Sequence, residues 1–196
     1  MPELPEVETT VRGLAHVLQG RRIRRVEARR ADLRRAFPVD LGQRLTGATV
    51  TSLGRRAKYG LVHTDRGDTM VFHLGMSGAW RVDPDDLGKH DHLLLETEEG
   101  RRLHLRDPPR FGSVDLIPTD ELERWPPFAA LGPEPLGGEV DGAWLKRKFE
   151  GRTAAVKLLL LDQRVVAGLG NIYACEALFR ARIDPRRAAG KVRRPW

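Results

Sequence analysis

Apolar residues first recur at helical spacing. Val7, Val11, Leu14 and Leu18 mark one face of a helix that Gly20 ends. From about residue 23 to 117 the pattern changes to short alternating runs, at 48–53, 61–64, 69–74, 92–96, 103–106 and 113–117. Asp65-Arg66-Gly67-Asp68 and Glu98-Glu99-Gly100 have the composition of hairpin connections. Many short strands with regular turn signals predict a sandwich or a barrel. A stretch rich in proline and glycine, 125–138, reads as a linker, and beyond it 143–149, 154–162 and 172–182 read as helices. The expected organisation is therefore a β-rich N-terminal domain over 1–124, the linker, and a helical domain over 139–196. No internal repeat or low-complexity tract is evident.

Composition narrows the possible partners. The 196 residues carry a net charge of +7 and a sequence pI near 10.1, which favours a polyanion. Eight arginines fall between Arg21 and Arg35, and Arg180, Arg182, Arg186, Arg187, Lys191, Arg193 and Arg194 crowd the tail. Aromatic residues make up only 6%, so phosphate contacts suit the chain better than base-stacking platforms. Cys175 is the single cysteine, which excludes an intramolecular disulfide and a thiolate zinc cluster within this sequence. No signal peptide is apparent and the apolar run 158–161 is far too short to span a bilayer, so a soluble, cytoplasmic monomer is expected.

The candidate chemistry begins at the second residue. Removal of Met1 from a Met1-Pro2 start leaves a secondary amine, and α-amino groups have a pKa of roughly 7.7–8. A neutral fraction can attack an electrophilic carbon and form an iminium, with Glu3 alongside to move protons. Two readings stay open for His90-Asp91-His92, a DNA contact or a metal site. Residues two apart on a strand share a face without completing a tetrahedral set, which weighs against metal.

Met1-Pro2-Glu3-Leu4-Pro5-Glu6-Val7-Glu8-Thr9 resembles the N-terminus of bacterial formamidopyrimidine-DNA glycosylases, which excise oxidised purines from DNA. Further matches follow in order. They are Arg55-Arg56-Ala57-Lys58-Tyr59, His73-Leu74-Gly75-Met76-Ser77-Gly78, Lys89-His90-Asp91-His92, Asp107-Pro108-Pro109-Arg110-Phe111-Gly112, Leu131-Gly132-Pro133-Glu134-Pro135 and Gly168-Leu169-Gly170-Asn171-Ile172-Tyr173-Ala174. The resemblance covers nearly the whole chain. It implies an α+β fold, an N-terminal helix and β-sandwich followed by a partial helix–two-turn–helix domain. It also implies base-excision repair by a glycosylase and abasic-site lyase acting on 8-oxoguanine and formamidopyrimidines in double-stranded DNA.

The same resemblance assigns roles. Pro2 is the nucleophile, Glu3 the acid/base and Lys58 a participant in β-elimination. Met76 and Phe111 are the apolar wedge that fills the gap left by an extruded base. His73, His90, Arg110, Arg152 and Asn171 contact DNA, and Lys157 lies near the damaged base. The glycines before Asn171 suit a turn that holds a phosphate.

Two departures stand out. Where relatives carry the first arginine of Asp-Pro-Arg-Arg-Phe-Gly, which reads the widowed cytosine, this chain has Pro109, with no donor to offer a base edge. Relatives also continue into a four-cysteine zinc finger that this sequence lacks, so it reads as C-terminally truncated and is expected to need no cofactor. A truncated, impaired remnant that binds damaged or abasic DNA is the alternative. The sister branch that removes oxidised pyrimidines fits the N-terminal motif and the Met76 loop less well.

Overall fold

The computed structural model describes residues 1–192; Arg193 and Arg194 of the basic tail, and the end of the helical segment, lie outside them. The chain divides into two compact units, one over Met1–Trp125 and one from Pro126 onward.

The first unit opens with α1 (Leu4–Leu18). The Glu3 carboxylate accepts the Glu6 amide, Glu6 Oε2 accepts the Glu3 amide at 2.9 Å, and Pro5 sits in the first turn. This reciprocal cap satisfies donors that a helix start otherwise leaves open. Leu4, Val7, Val11, Leu14, Val17 and Leu18 form its buried stripe, and Gly20 at φ 75° turns the chain away.

Eight strands follow: β1 (Ile23–Ala28), β2 (Val50–Arg56), β3 (Tyr59–Thr64), β4 (Asp68–His73), β5 (Ala79–Val82), β6 (Asp91–Thr97), β7 (Arg102–Arg106) and β8 (Ser113–Pro118). They build two antiparallel four-stranded sheets, ordered β1-β6-β7-β5 and β2-β3-β4-β8. The six runs read from the sequence correspond to β2, β3, β4, β6, β7 and β8, while β1, the short β5 and a helical turn α2 (Leu41–Leu45) carry little periodic signal of their own. The hairpin turns are where the composition placed them, with Gly67 at φ 75° and Gly100 at φ 83°. Side chains from α1 and both sheets, including Val7, Leu14, Met70, Phe72, Leu93, Leu95, Leu103 and Leu105, join one core. Burial of apolar area at roughly 25 cal/mol per Å² drives that assembly. Gly60 is required there, because a Cβ would run into the ring of Phe72, its cross-strand partner. Trp80 meets the same ring edge-on, with centroids 5.6 Å apart. A 3-10 segment, Thr119–Arg124, leads to Trp125, whose ring stands edge-on to Tyr59 at 5.8 Å.

The second unit contains α3 (Pro126–Ala129), α4 (Gly142–Phe149), α5 (Val156–Leu161) and α6 (Asn171–Arg180). The segment read as linker is thus partly structured: Phe128 of α3 is buried. Asp141 caps α4 by accepting the Trp144 amide at 2.6 Å. Phe149, Val156, Leu160, Val166, Ala174 and Leu178 make a core separate from that of the first unit. Among the described residues no helix is long and apolar enough to cross a membrane.

Candidate functional site

Pro2 lies just ahead of α1 and is half-buried, while Glu3 is 1% exposed. Ala57, at φ 53°, and Lys58 form the two-residue turn between β2 and β3, where Arg56 pairs with Tyr59. Lys58 is 8% exposed. Burial pulls its ammonium pKa below the ordinary lysine value, and the negative charge of Glu3 opposes part of that shift. The structure therefore brings Glu3 and Lys58 into one electrostatic environment at the start of the helix that Pro2 precedes.

Two residues without an assigned role hold this arrangement. Arg55 Nε donates to Glu8 Oε2 at 2.9 Å and Arg55 Nη1 donates to the carbonyl of Ala57 at 3.0 Å. The guanidinium thus links the first turns of α1 to the hairpin that presents Lys58. Hydrogen bonds from Arg12 and then Arg55 hold the Glu8 carboxyl below the usual range. Both residues stand inside the motifs recognised in the sequence, but nothing in their spacing reveals that they pair.

His73 ends β4, across from Tyr59, with ring centroids 5.0 Å apart. Burial first, then the charges of Lys58, Arg34 and Arg35, lower its pKa to about 4. The ring is neutral at neutral pH. Its Nδ1 accepts the Gly75 amide at 3.0 Å, which leaves the proton on Nε2 as a donor. Beyond it, Met76 is 56% exposed and Phe111 49% exposed, two large apolar side chains in solvent. Their loops touch: a Cβ on Gly75 would lie 2.5 Å from the Gly112 amide nitrogen.

Pro109 is exposed in the same loop, and Arg110 adopts φ 58° and pairs through Nη1 with Asp32 Oδ1 at 3.2 Å. His90 is half-buried, with its ring 6.1 Å from that of the buried His92. Asp91 turns away from both. Its Oδ2 accepts from the Gly88 amide, Arg81 and His104, which pins the 83–90 segment to the sheet. Among the described residues no group of three or more His, Cys, Asp or Glu is placed to hold a metal. Cys175, the single cysteine, is exposed on α6.

Arg152, Lys157 and Asn171 belong to the second unit. Arg152 is exposed, Lys157 is half-buried in the first turn of α5, and Asn171 is exposed as the first residue of α6. The turn before Asn171 is organised by Gln163, a residue the sequence did not single out. Its Nε2 donates to the carbonyls of Leu161 and Leu169, at 3.1 and 2.8 Å, and its Oε1 accepts the Gly168 amide at 2.9 Å. Gly168 takes φ 94°, so the turn needs glycine at that position.

Residues 1–114 match the model of the formamidopyrimidine-DNA glycosylase N-terminal domain, and residues 131–195 match that of its H2TH domain. The formamidopyrimidine-DNA glycosylase of Novosphingobium aromaticivorans is 73% identical over 192 residues, covering 98% of this chain and 71% of that protein. The one from Rhizorhabdus wittichii is 67% identical over the same shares. Among solved structures, the Lactococcus lactis Fpg in complex with DNA containing an oxidised pyrimidine superposes with a TM-score of 0.90 at 34% identity, over 98% of this chain and 73% of that one. The same protein bound to DNA with an abasic site gives 0.90 over 97% and 71%. On these matches, which run through both units, the chain belongs to the formamidopyrimidine-DNA glycosylase family.

Proposed function

We propose that this chain excises oxidised purines, 8-oxoguanine and formamidopyrimidines, from double-stranded DNA and then cleaves the abasic strand, with Pro2 as nucleophile. Loss of Met1 frees a secondary amine that is partly neutral at neutral pH. Its lone pair attacks C1′ of the damaged nucleotide, the bond from C1′ to the base breaks, and the base leaves with a proton. Glu3 protonates the ring oxygen as the sugar opens, the nitrogen gives up its own proton, and an iminium joins Pro2 to C1′. That iminium acidifies C2′. When the C2′ proton leaves, its electron pair first enters the C1′–C2′ bond and then expels the 3′ phosphate. Water hydrolyses the remaining iminium. Lys58, desolvated and beside Glu3, is suited to take part in these proton transfers.

The observation that carries this reading is that Glu3 and Lys58, both nearly buried, share one environment at the head of α1. Met76 and Phe111 support it as an exposed apolar pair able to fill the space of an extruded base. In the proposal His73, with its Nε2–H donor, His90, Arg110, Arg152 and Asn171 contact the DNA, and Lys157 lies near the lesion. The working location is the bacterial cytoplasm, at the nucleoid. A second reading, a DNA-binding protein of low turnover, is favoured by two features: Pro109 offers no donor and Arg110 is tied to Asp32.

Borohydride trapping separates the two. Untagged protein with Met1 removed is mixed with duplexes carrying 8-oxoguanine opposite C, an oxidised pyrimidine, or an abasic site. A covalent complex on the 8-oxoguanine and abasic duplexes that vanishes in Pro2→Gly supports the enzyme. Binding without trapping on any duplex supports the second reading. Trapping that survives Pro2→Gly unchanged overturns the assigned nucleophile.

A further inference from the structure

The turn between β7 and β8 is closed by one buried carboxylate. Asp107 is 1% exposed. Its Oδ2 accepts the Gly112 amide at 2.7 Å, spanning the tip formed by Pro108, Pro109, Arg110 and Phe111. Its backbone is fixed as well: the amide donates to His90 O at 3.0 Å, and the carbonyl accepts the Arg110 amide at 3.1 Å and lies 3.0 Å from His92 Nε2. The second carboxylate oxygen, Oδ1, is buried with no hydrogen-bond partner. Burying a carboxylate for a single charge-assisted bond is costly, so the residue does not read as a general stabiliser.

What the bond does is local. It holds the turn in a shape that puts Arg110 at φ 58° and leaves Phe111 in solvent. The far side of the turn leans on the Met76 loop with no side chain between them. A Cβ on Gly112 would lie 2.7 Å from His73 O and 2.9 Å from Asp107 Oδ2, and a Cβ on Gly75 would press on the Phe111 carbonyl carbon. Arg34 N–H, from a third segment, donates to Gly112 O at 3.0 Å.

We propose that Asp107 is the positioning residue of the wedge: by clamping Gly112 it locks the Phe111 loop against the Met76 loop, so that the two apolar side chains enter the stack as one rigid insert. The inference rests on the reading that Met76 and Phe111 enter DNA. Unstacking a base step costs a few kcal/mol, and an insert free to retract does not hold the gap open. A single-stranded abasic site has no duplex stack to open, so on that substrate the clamp is dispensable.

The test compares initial rates of borohydride trapping on a duplex abasic site and on the same strand alone. Asp107→Ala is expected to slow trapping on the duplex about tenfold or more while the single strand stays within about twofold. Asp107→Asn, whose amide oxygen can still accept the Gly112 N–H, is expected to recover most of the duplex rate. An Asp107→Ala rate on the duplex equal to that of the unchanged protein, or an equal loss on both substrates, overturns the proposal. Phe111→Ala tells the two levels apart. If it leaves the duplex rate unchanged, the wedge reading itself fails; if it is slow while Asp107→Ala is not, only the positioning role fails. Should Asp107→Ala not fold, Gly75→Ala forces the two loops apart with the carboxylate intact and is expected to show the same duplex-only loss. An equal loss on the two substrates, or no loss on the duplex, in that variant overturns the coupling.

Discussion

Arg55 Nε and Glu8 Oε2, 2.9 Å apart, fasten α1 to the hairpin that carries Lys58. The Arg55 side chain is only 11% exposed, so the pair is shielded more than most surface ion pairs. Arg55→Met is expected to destabilise the first unit by about 1.5–3 kcal/mol, the range for a hydrogen bond to a charged group. It is also expected to slow trapping on every substrate, single strands included, because the Glu3–Lys58 environment loosens. Urea unfolding together with trapping rates checks this, and a stable variant with normal trapping would contradict it.

The pH dependence of stability follows from His73. Its folded pKa of about 4 lies below the ordinary 6.5, so the folded state holds the ring neutral. Below pH 6.5 the unfolded chain takes up a proton that the folded one refuses. The stability that His73 contributes is therefore complete above pH 6.5 and drains away as pH falls toward 4, by roughly 2 kcal/mol once solvent screening is allowed for. Denaturant midpoints at pH 7.5 and 5 are expected to differ less in His73→Gln than in the unchanged protein.

The arginine-rich stretch does not act as one patch. Arg21, Arg22, Arg24 and Arg25 pair with Glu99, Glu98, Glu96 and Glu27, Arg35 pairs with Asp115, and Arg29 donates to the carbonyls of Gly88 and Asp91. Among the described residues Arg30 and Arg34 have no ion-pair partner, and Arg34 is close enough to His73 to lower its pKa. Replacing Arg34 with Gln is expected to reduce the slope of log K against log salt by about 0.9, the value of one released counterion. Arg24→Gln is expected to change it less. Affinities for undamaged duplex across a salt series supply the comparison.

Gln163 supports the turn before Asn171 with three hydrogen bonds. Gln163→Glu replaces the two donations from Nε2 with an acceptor facing carbonyl oxygens. A loss of about 2 kcal/mol in the second unit is expected, with weaker DNA binding than Asn171→Ala alone produces if the turn backbone also holds a phosphate. Thermal unfolding and affinity measurements would show it. Unchanged affinity in a destabilised protein would limit Gln163 to folding.

Some features were legible because they depend on neighbours in the chain. The 3.6-residue period of Val7, Val11, Leu14 and Leu18 specifies α1 wherever the helix packs, and Gly67 and Gly100 mark hairpins through their own backbone freedom. The motifs that hold Pro2, Glu3 and Lys58 were likewise legible one run at a time. The short strand β5 was missed because four residues carry almost no periodic signal.

Partnerships were decided only by tertiary structure. The chain order does not say that β1 lies beside β6 rather than β2, yet that pairing is what sets Arg24 beside Glu96. Glu8 and Arg55 stand 47 residues apart, and Gly75 and Gly112 meet only because β4 lies next to β8. Hydrophobic periodicity and short motifs are local properties, so the sequence itself determined most of the elements and the candidate residues. Charge pairing, burial and close backbone approach depend on distance in space, and these turned that inventory into a shielded Glu3–Lys58 environment and two loops packed backbone to backbone.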